Sequence, residues 1–100
     1  MLKIDKKIKG DSCIVTLDGK VDMTTSMKLE DELAPLEGTV KELILDLSGL
    51  VYISSAGLRV LVAAQKMMNS RGKMIIKNPR SSVMEIFKVT GMDRILQIGN

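Results

Sequence analysis

One hundred residues are enough for one compact domain and leave little room for a second. Hydrophobic residues make up 45% of the chain and charged residues 27%, the mix of a globular fold. The formal net charge of +3, from 15 Lys and Arg against 12 Asp and Glu, is too small to require a nucleic-acid partner. There is no His and only one Cys, which removes the usual general base, the commonest metal ligand and any internal disulfide.

Tyr52 and Phe87 are the only aromatic residues, so aliphatic side chains and Met must build the core and no platform exists on which bases could stack. The segment from Met1 to Ser12 is charged and lacks the apolar stretch of a signal peptide, and no segment is apolar for long enough to span a membrane. With Cys13 unpaired, these features give the expectation of a cytoplasmic protein with no membrane partner.

Leu2, Ile4 and Ile8 alternate with polar residues, Gly10-Asp11 marks a turn, and Cys13 to Leu17 is rich in β-formers before Asp18-Gly19. This reads as a hairpin-like strand pair, with Lys3, Lys6, Lys7 and Lys9 on the solvated face of an edge strand. Met23-Thr24-Thr25-Ser26 offers hydroxyl caps for a helix whose apolar stripe is Leu29, Leu33 and Leu36, ended by Pro35 and Gly38. Leu43-Ile44-Leu45 is a short apolar run of the kind found in strands covered on both faces.

Ser54-Ser55 opens a second helix, with Leu58, Leu61, Val62 and Met68 inward and Asn69 and Gly72 at its stop. Met74-Ile75-Ile76 reads as another buried strand. A third helix follows Asn78-Pro79, with Ser82 and Glu85 spaced as a capping box and Gly91 as the left-handed residue after its end. Ile95, Leu96 and Ile98 are expected to form a last short strand. The expected fold is therefore one α/β domain over residues 1–100, a mixed β-sheet flanked by helices in the order β-β-α-β-α-β-α-β.

The residues that carry chemistry are few. No phosphate-binding glycine loop and no dinucleotide fingerprint occurs, and one Cys without His builds no familiar zinc site. Ser55 lacks the glycine pattern of a hydrolase nucleophile elbow, with Ile53 upstream and Gly57 downstream. Asp18, Asp22 and Asp46 remain as strand-end carboxylates, a position that is common and usually not catalytic. The reading is of a protein with no catalytic residues, cofactor or metal; a small enzyme or nucleotide-binding protein is the contrary reading, testable by nucleotide titration.

The informative segment runs from Asp46 through Ile53-Ser54-Ser55-Ala56-Gly57-Leu58, where a strand delivers two serines to the start of a helix. Either serine serves as an N-cap on the structural reading. On the functional reading the exposed hydroxyl accepts a phosphoryl group, because a kinase brings its own base and metal and the helix start tolerates negative charge. Gly57 permits close approach of another backbone, or simply packs in a tight first turn.

At these residues the sequence resembles the STAS family, and within it the free-standing bacterial anti-sigma factor antagonists. The resemblance rests on Leu17-Asp-Gly-Lys-Val-Asp22, on Asp46-Leu-Ser with Ile53-Ser-Ser-Ala-Gly57-Leu58, and on Phe87-Lys-Val-Thr-Gly91-Met92, in that order and spacing. It implies a partner switch: the unphosphorylated protein binds an anti-sigma factor that is itself a serine kinase, and the sigma factor goes free. Phosphorylation at the start of the second helix dissolves the complex, and a metal-dependent serine phosphatase resets it.

The acceptor lies two residues before the motif glycine, which places it at Ser55, with Ser54 as second choice. The resemblance puts Asp22, Ser54, Ser55, Gly57 and Leu58 at the partner surface; from the residues alone, Asp22 reads equally well as a cap before the first helix. Two departures stand out: Ser54 occupies a position that is often Asp in the family, and many relatives carry a further helix where this chain reaches Asn100. The alternative reading is a non-phosphorylated STAS adaptor subunit of a lipid-transport or signalling assembly.

Overall fold

A computed structural model describes residues 1–36 and 38–99. Gly10 adopts φ 60° at the first turn, and the chain doubles back so that β1 (Leu2–Lys9) pairs antiparallel with β2 (Ser12–Val21). β2 and β3 (Glu42–Ile53) pair in parallel, as do β3 and β4 (Lys73–Lys77), which gives a four-stranded sheet in the order β1-β2-β3-β4. Parallel neighbours need crossovers, and helices supply them: α1 (Thr25–Leu33) joins β2 to β3 and α2 (Ser55–Asn69) joins β3 to β4. The order ends with α3 (Ser81–Thr90), so it is β-β-α-β-α-β-α.

Cys13, Val15 and Leu17 of β2, Leu43, Leu45 and Leu47 of β3, and Met74 and Ile76 of β4 turn one sheet face into the core. Leu29, Leu33 and Leu36 close it from α1 and the 3-10 turn after it, as their spacing predicts, and Leu58, Leu61 and Met68 do so from α2. Val62 is only half-buried. Phe87 of α3 is fully buried. Gly91, at φ 76°, ends α3 in the left-handed conformation expected of it.

Several expectations need correction. The Leu43-Ile44-Leu45 strand is not covered on both faces: Ile44 and Ile75 stay half-exposed and Ile14 is 43% exposed, so burial alternates. Nor do strands stop at Asp18-Gly19 or Asp46. β2 continues to Val21 and β3 to Ile53, with register shifts between Thr16 and Asp18 and between Gly19 and Lys20. These bulges offset the alternation, so that Leu50 and Ile53, rather than Val51, return to the core.

Lys6 is not on the solvated face with Lys3, Lys7 and Lys9. It shares the core-side face with Ile4 and reaches α1, where its ammonium lies 2.8 Å from Glu32 Oε2 and donates to the Glu32 carbonyl at 3.2 Å. The Ser82–Glu85 capping box does not form. Arg80 occupies the N-cap position of α3 and Ser82 lies inside the first turn, its hydroxyl donating to the Val51 carbonyl at 3.4 Å.

The last strand shrinks to a single parallel bridge between Ile76 and Ile98. Met92–Arg94 forms a 3-10 turn, and the segment beyond it is tied to β4 by the Ile76 N–H donating to the Gln97 carbonyl and the Gly99 N–H to the Ile76 carbonyl, both at 2.8 Å, with one side chain adding to them. Buried Gln65 of α2 accepts from the Gln97 N–H at 3.0 Å and donates to the Met74 carbonyl at 3.3 Å and to Asn69 Oδ1 at 3.0 Å. Every polar atom of this amide thus has a partner, which is what allows it inside.

Candidate functional site

β2 and β3 end side by side. Val21 pairs with Ile53 in the last register position, and the Ser54 N–H donates to the Val21 carbonyl at 2.7 Å. Asp22 follows the first strand end and Ser54-Ser55 the second, so the sheet brings these sequence-distant residues together at the starts of α1 and α2.

Asp22 is the cap of α1, in place of the hydroxyls of Met23-Thr24-Thr25-Ser26. Its Oδ1 accepts from the N–H of Thr25 at 2.8 Å and of Thr24 at 2.9 Å, and its own N–H donates to Thr25 Oγ1 at 2.8 Å. Thr24, formally the N-cap residue, makes no side-chain cap bond. The Thr25 N–H and hydroxyl, together with those of Thr24, hold the Asp22 carboxyl below the usual carboxylate range. Because the folded value is lowered, ionised Asp22 stabilises the fold above about pH 4 and loses that contribution as pH falls through its folded pKa. Asp22→Ala is therefore expected to lower the melting temperature at pH 7, by a margin that narrows in acid. Paired melts at pH 7 and about pH 2.5 check this; an equal gap at both would show that the charge is irrelevant.

Ser54 and Ser55 divide the two roles that the sequence leaves open for them. Ser54 is extended, with φ −86° and ψ 172°, and is the N-cap of α2, its Oγ accepting from the Gly57 N–H at 3.2 Å. Ser55 is the first helical residue, is exposed, and its hydroxyl makes no hydrogen bond to another group among the described residues. Ser54→Ala is expected to cost about 1 kcal/mol, or about 4–8 °C in melting temperature, while leaving the Ser55 hydroxyl free. Scanning calorimetry checks the loss; an unshifted transition would mean that water caps the helix equally well.

Gly57 and Leu58 lie beneath these residues rather than beside them. Both are buried, Leu58 at 6% exposure. A Cβ on Gly57 would stand 2.6 Å from Val21 Cγ1 and 2.7 Å from Ile53 Cγ1, so the close approach here is of α2 to the domain's own strand ends. The reciprocal bonding of Thr25 with Asp22 and the contact of Gly57 with Val21 are parts of the site that sequence reasoning missed. The Asp22-x-x-Thr25 spacing was the signal available for the first; nothing local marked the second.

The remaining carboxylates do not join this cluster. Asp46 accepts from the Ser48 N–H at 3.0 Å, which lowers its pKa, and Asp18 is exposed along β2. Among the described residues no group of three or more His, Cys, Asp and Glu could hold a metal ion, and no helix is long and apolar enough to cross a membrane. The site is a small polar surface of two capped helix starts, with one unengaged hydroxyl.

The family model of the STAS domain matches residues 3–100. This chain belongs to the STAS family. The domain is 35% identical over 96 residues to "Putative anti-sigma factor antagonist BtrV" of Bordetella bronchiseptica, covering 94% of this chain and 82% of that one. It superposes on an anti-sigma factor antagonist from Mycobacterium paratuberculosis with TM-score 0.88 at 19% identity, covering 98% of this chain and 85% of that one. SpoIIAA of Bacillus matches in an unphosphorylated and in a phosphorylated form. Its unphosphorylated form gives TM-score 0.80 at 16% identity over 100% and 89% of the two chains. Its phosphorylated form gives 0.74 at 14% over 100% and 92%. These structures share the fold of this STAS domain.

Proposed function

We propose that this STAS domain is a cytoplasmic anti-sigma factor antagonist that works by phosphorylation-controlled binding and carries out no catalysis. Unphosphorylated, it binds an anti-sigma factor with serine kinase activity through Asp22, Ser54 and Ser55, with Gly57 and Leu58 seating that surface from below. The sigma factor is thereby freed. Transfer of the γ-phosphoryl group of ATP to Ser55 Oγ ends the association, and a metal-dependent serine phosphatase restores it.

The observation that carries this reading is the division of labour at the start of α2. Ser54 is committed to the cap, whereas the Ser55 hydroxyl is exposed and unengaged, at the position where STAS antagonists carry their acceptor. The names of BtrV and the antagonist from Mycobacterium paratuberculosis, and the two solved states of SpoIIAA, support the same reading.

Incubation with candidate kinase-type anti-sigma factors, in the presence of ATP and Mg²⁺, tests it. Intact mass should rise by one phosphate, and fragmentation should place it on Ser55. Phosphate confined to Ser54, or an unmodified protein bound tightly by an active kinase, would overturn the assignment; the second outcome is what a non-phosphorylated adaptor would give.

A further inference from the structure

Ser55 borders a groove of about 520 Å³ between α2 and the corner after α3, lined also by Leu58, Arg59, Val62 and Met92. Its charged lining residues are Arg59 and Lys66, with no carboxylate among them. Arg59 stands four residues after Ser55 on the same helix, so the two side chains are neighbours on one helix face. Both are exposed, and Arg59 forms no salt bridge among the described residues. α2 contains no acidic residue that could compete for the guanidinium.

Glu30 of α1 lines a separate groove that Arg59 also borders, Asp22 is engaged by Thr24 and Thr25, and Asp93 and Arg94 lie in the turn beyond α3. Lys66 is eleven residues from Ser55, about 16 Å along the helix axis, too far to share a phosphate with it.

We propose that Arg59 is the internal partner of the phosphorylated state, holding the phosphate on Ser55 as a phosphoserine–arginine pair one helical turn apart. The proposal rests on Ser55 being the acceptor. An anion placed four residues before a cation is the favourable order on a helix, and a guanidinium presents two parallel N–H donors to phosphate oxygens. The phosphorylated domain therefore carries its new charge already paired. Arg59 is at the same time withdrawn from any acidic group of a partner that it would otherwise meet.

The test bypasses the kinase. Phosphoserine is installed at position 55 during synthesis of the full chain, and ³¹P NMR follows the second ionisation of the phosphate in the otherwise wild-type protein, in Arg59→Gln and in Lys66→Gln. The expected result is a phosphate pKa about 0.3–0.5 units lower with Arg59 present than in Arg59→Gln, and unchanged by Lys66→Gln. Coincident titration curves for the wild-type and Arg59→Gln phosphoproteins would overturn the proposal, as would a shift of equal size in Lys66→Gln. All three proteins should melt cooperatively, since both substituted residues are exposed. A kinase that leaves Ser55 unmodified would defeat the antagonist reading without touching this titration, so the two failures are separable.

Discussion

Ser55→Asp is expected to lower affinity for the cognate anti-sigma kinase by about a hundredfold or more while barely shifting the melting temperature. Phosphorylation should act in the same direction, since phosphate adds about 1.5–2 negative charges at neutral pH. In the free domain that charge sits in water at the positive end of α2, where the effect on stability is about 1 kcal/mol or less. In a complex covering Ser55 the same charge must leave water, at a cost of about 3–5 kcal/mol when the partner offers no matching group. Each 1.4 kcal/mol is about a factor of ten, so the interface term dominates and the complex fails before the fold does. Ser55→Ala should bind with near wild-type affinity and resist modification. Titration calorimetry with purified kinase, beside thermal melts, decides the matter. Full affinity for Ser55→Asp would remove Ser55 from the interface, and lost affinity with a collapsed melting temperature would make it a folding residue.

Gly57→Ala is expected to destabilise the domain by about 1–2 kcal/mol, although Ala is ordinarily the better helix residue by about 1 kcal/mol. The added methyl would stand 2.6 Å from Val21 Cγ1 and 2.7 Å from Ile53 Cγ1, and both of those side chains are locked in the core at 0% and 2% exposure. Overpacking of this kind costs about 1–3 kcal/mol, which exceeds the propensity gain at a first-turn position. Because the shortest of these contacts is to Val21 Cγ1, Val21→Ala should relieve part of the strain. The double variant should then be more stable than the sum of the two single losses by about 1 kcal/mol or more. Urea denaturation of the four proteins of this cycle measures that coupling. Strict additivity, or a stabilised Gly57→Ala, would show that α2 shifts freely to admit the methyl group. The same cycle is informative for binding, because a displaced α2 carries Ser55 with it.

Much of the fold is legible in the residues because local and tertiary signals agree. Leu29, Leu33 and Leu36 sit at helical spacing and are all buried, and Gly91 takes the left-handed conformation that its place after a helix demands. The reading fails where a tertiary contact overrides a local cue. Asp18-Gly19 and Asp46 look like strand ends, yet β2 and β3 run through them and bulges keep Leu50 and Ile53 in the core. Ser82 and Glu85 have capping-box spacing, but helix entry from Pro79 puts Arg80 at the cap and turns the serine hydroxyl toward β3.

The site follows the same rule. The serine pair at a helix start was legible, as was the alternative role of Asp22 as a cap. Which serine caps α2 was not, since that depends on where the helix begins relative to Val21 on a different strand. Gly57 was ambiguous for a related reason: its neighbours in space, Val21 and Ile53, lie on two strands that only the sheet brings together.

The bond from the Ser54 amide to the Val21 carbonyl gives the protein a built-in reporter. That amide is shielded only while the end of β3 stays docked against the end of β2, so its rate of exchange with deuterated solvent reads the opening of this junction alone. Most backbone amides at a helix start have no such acceptor and exchange quickly. One resolved peak in a proton–nitrogen spectrum could therefore follow the docking of the two halves of the surface along a titration, without any label placed on the surface itself.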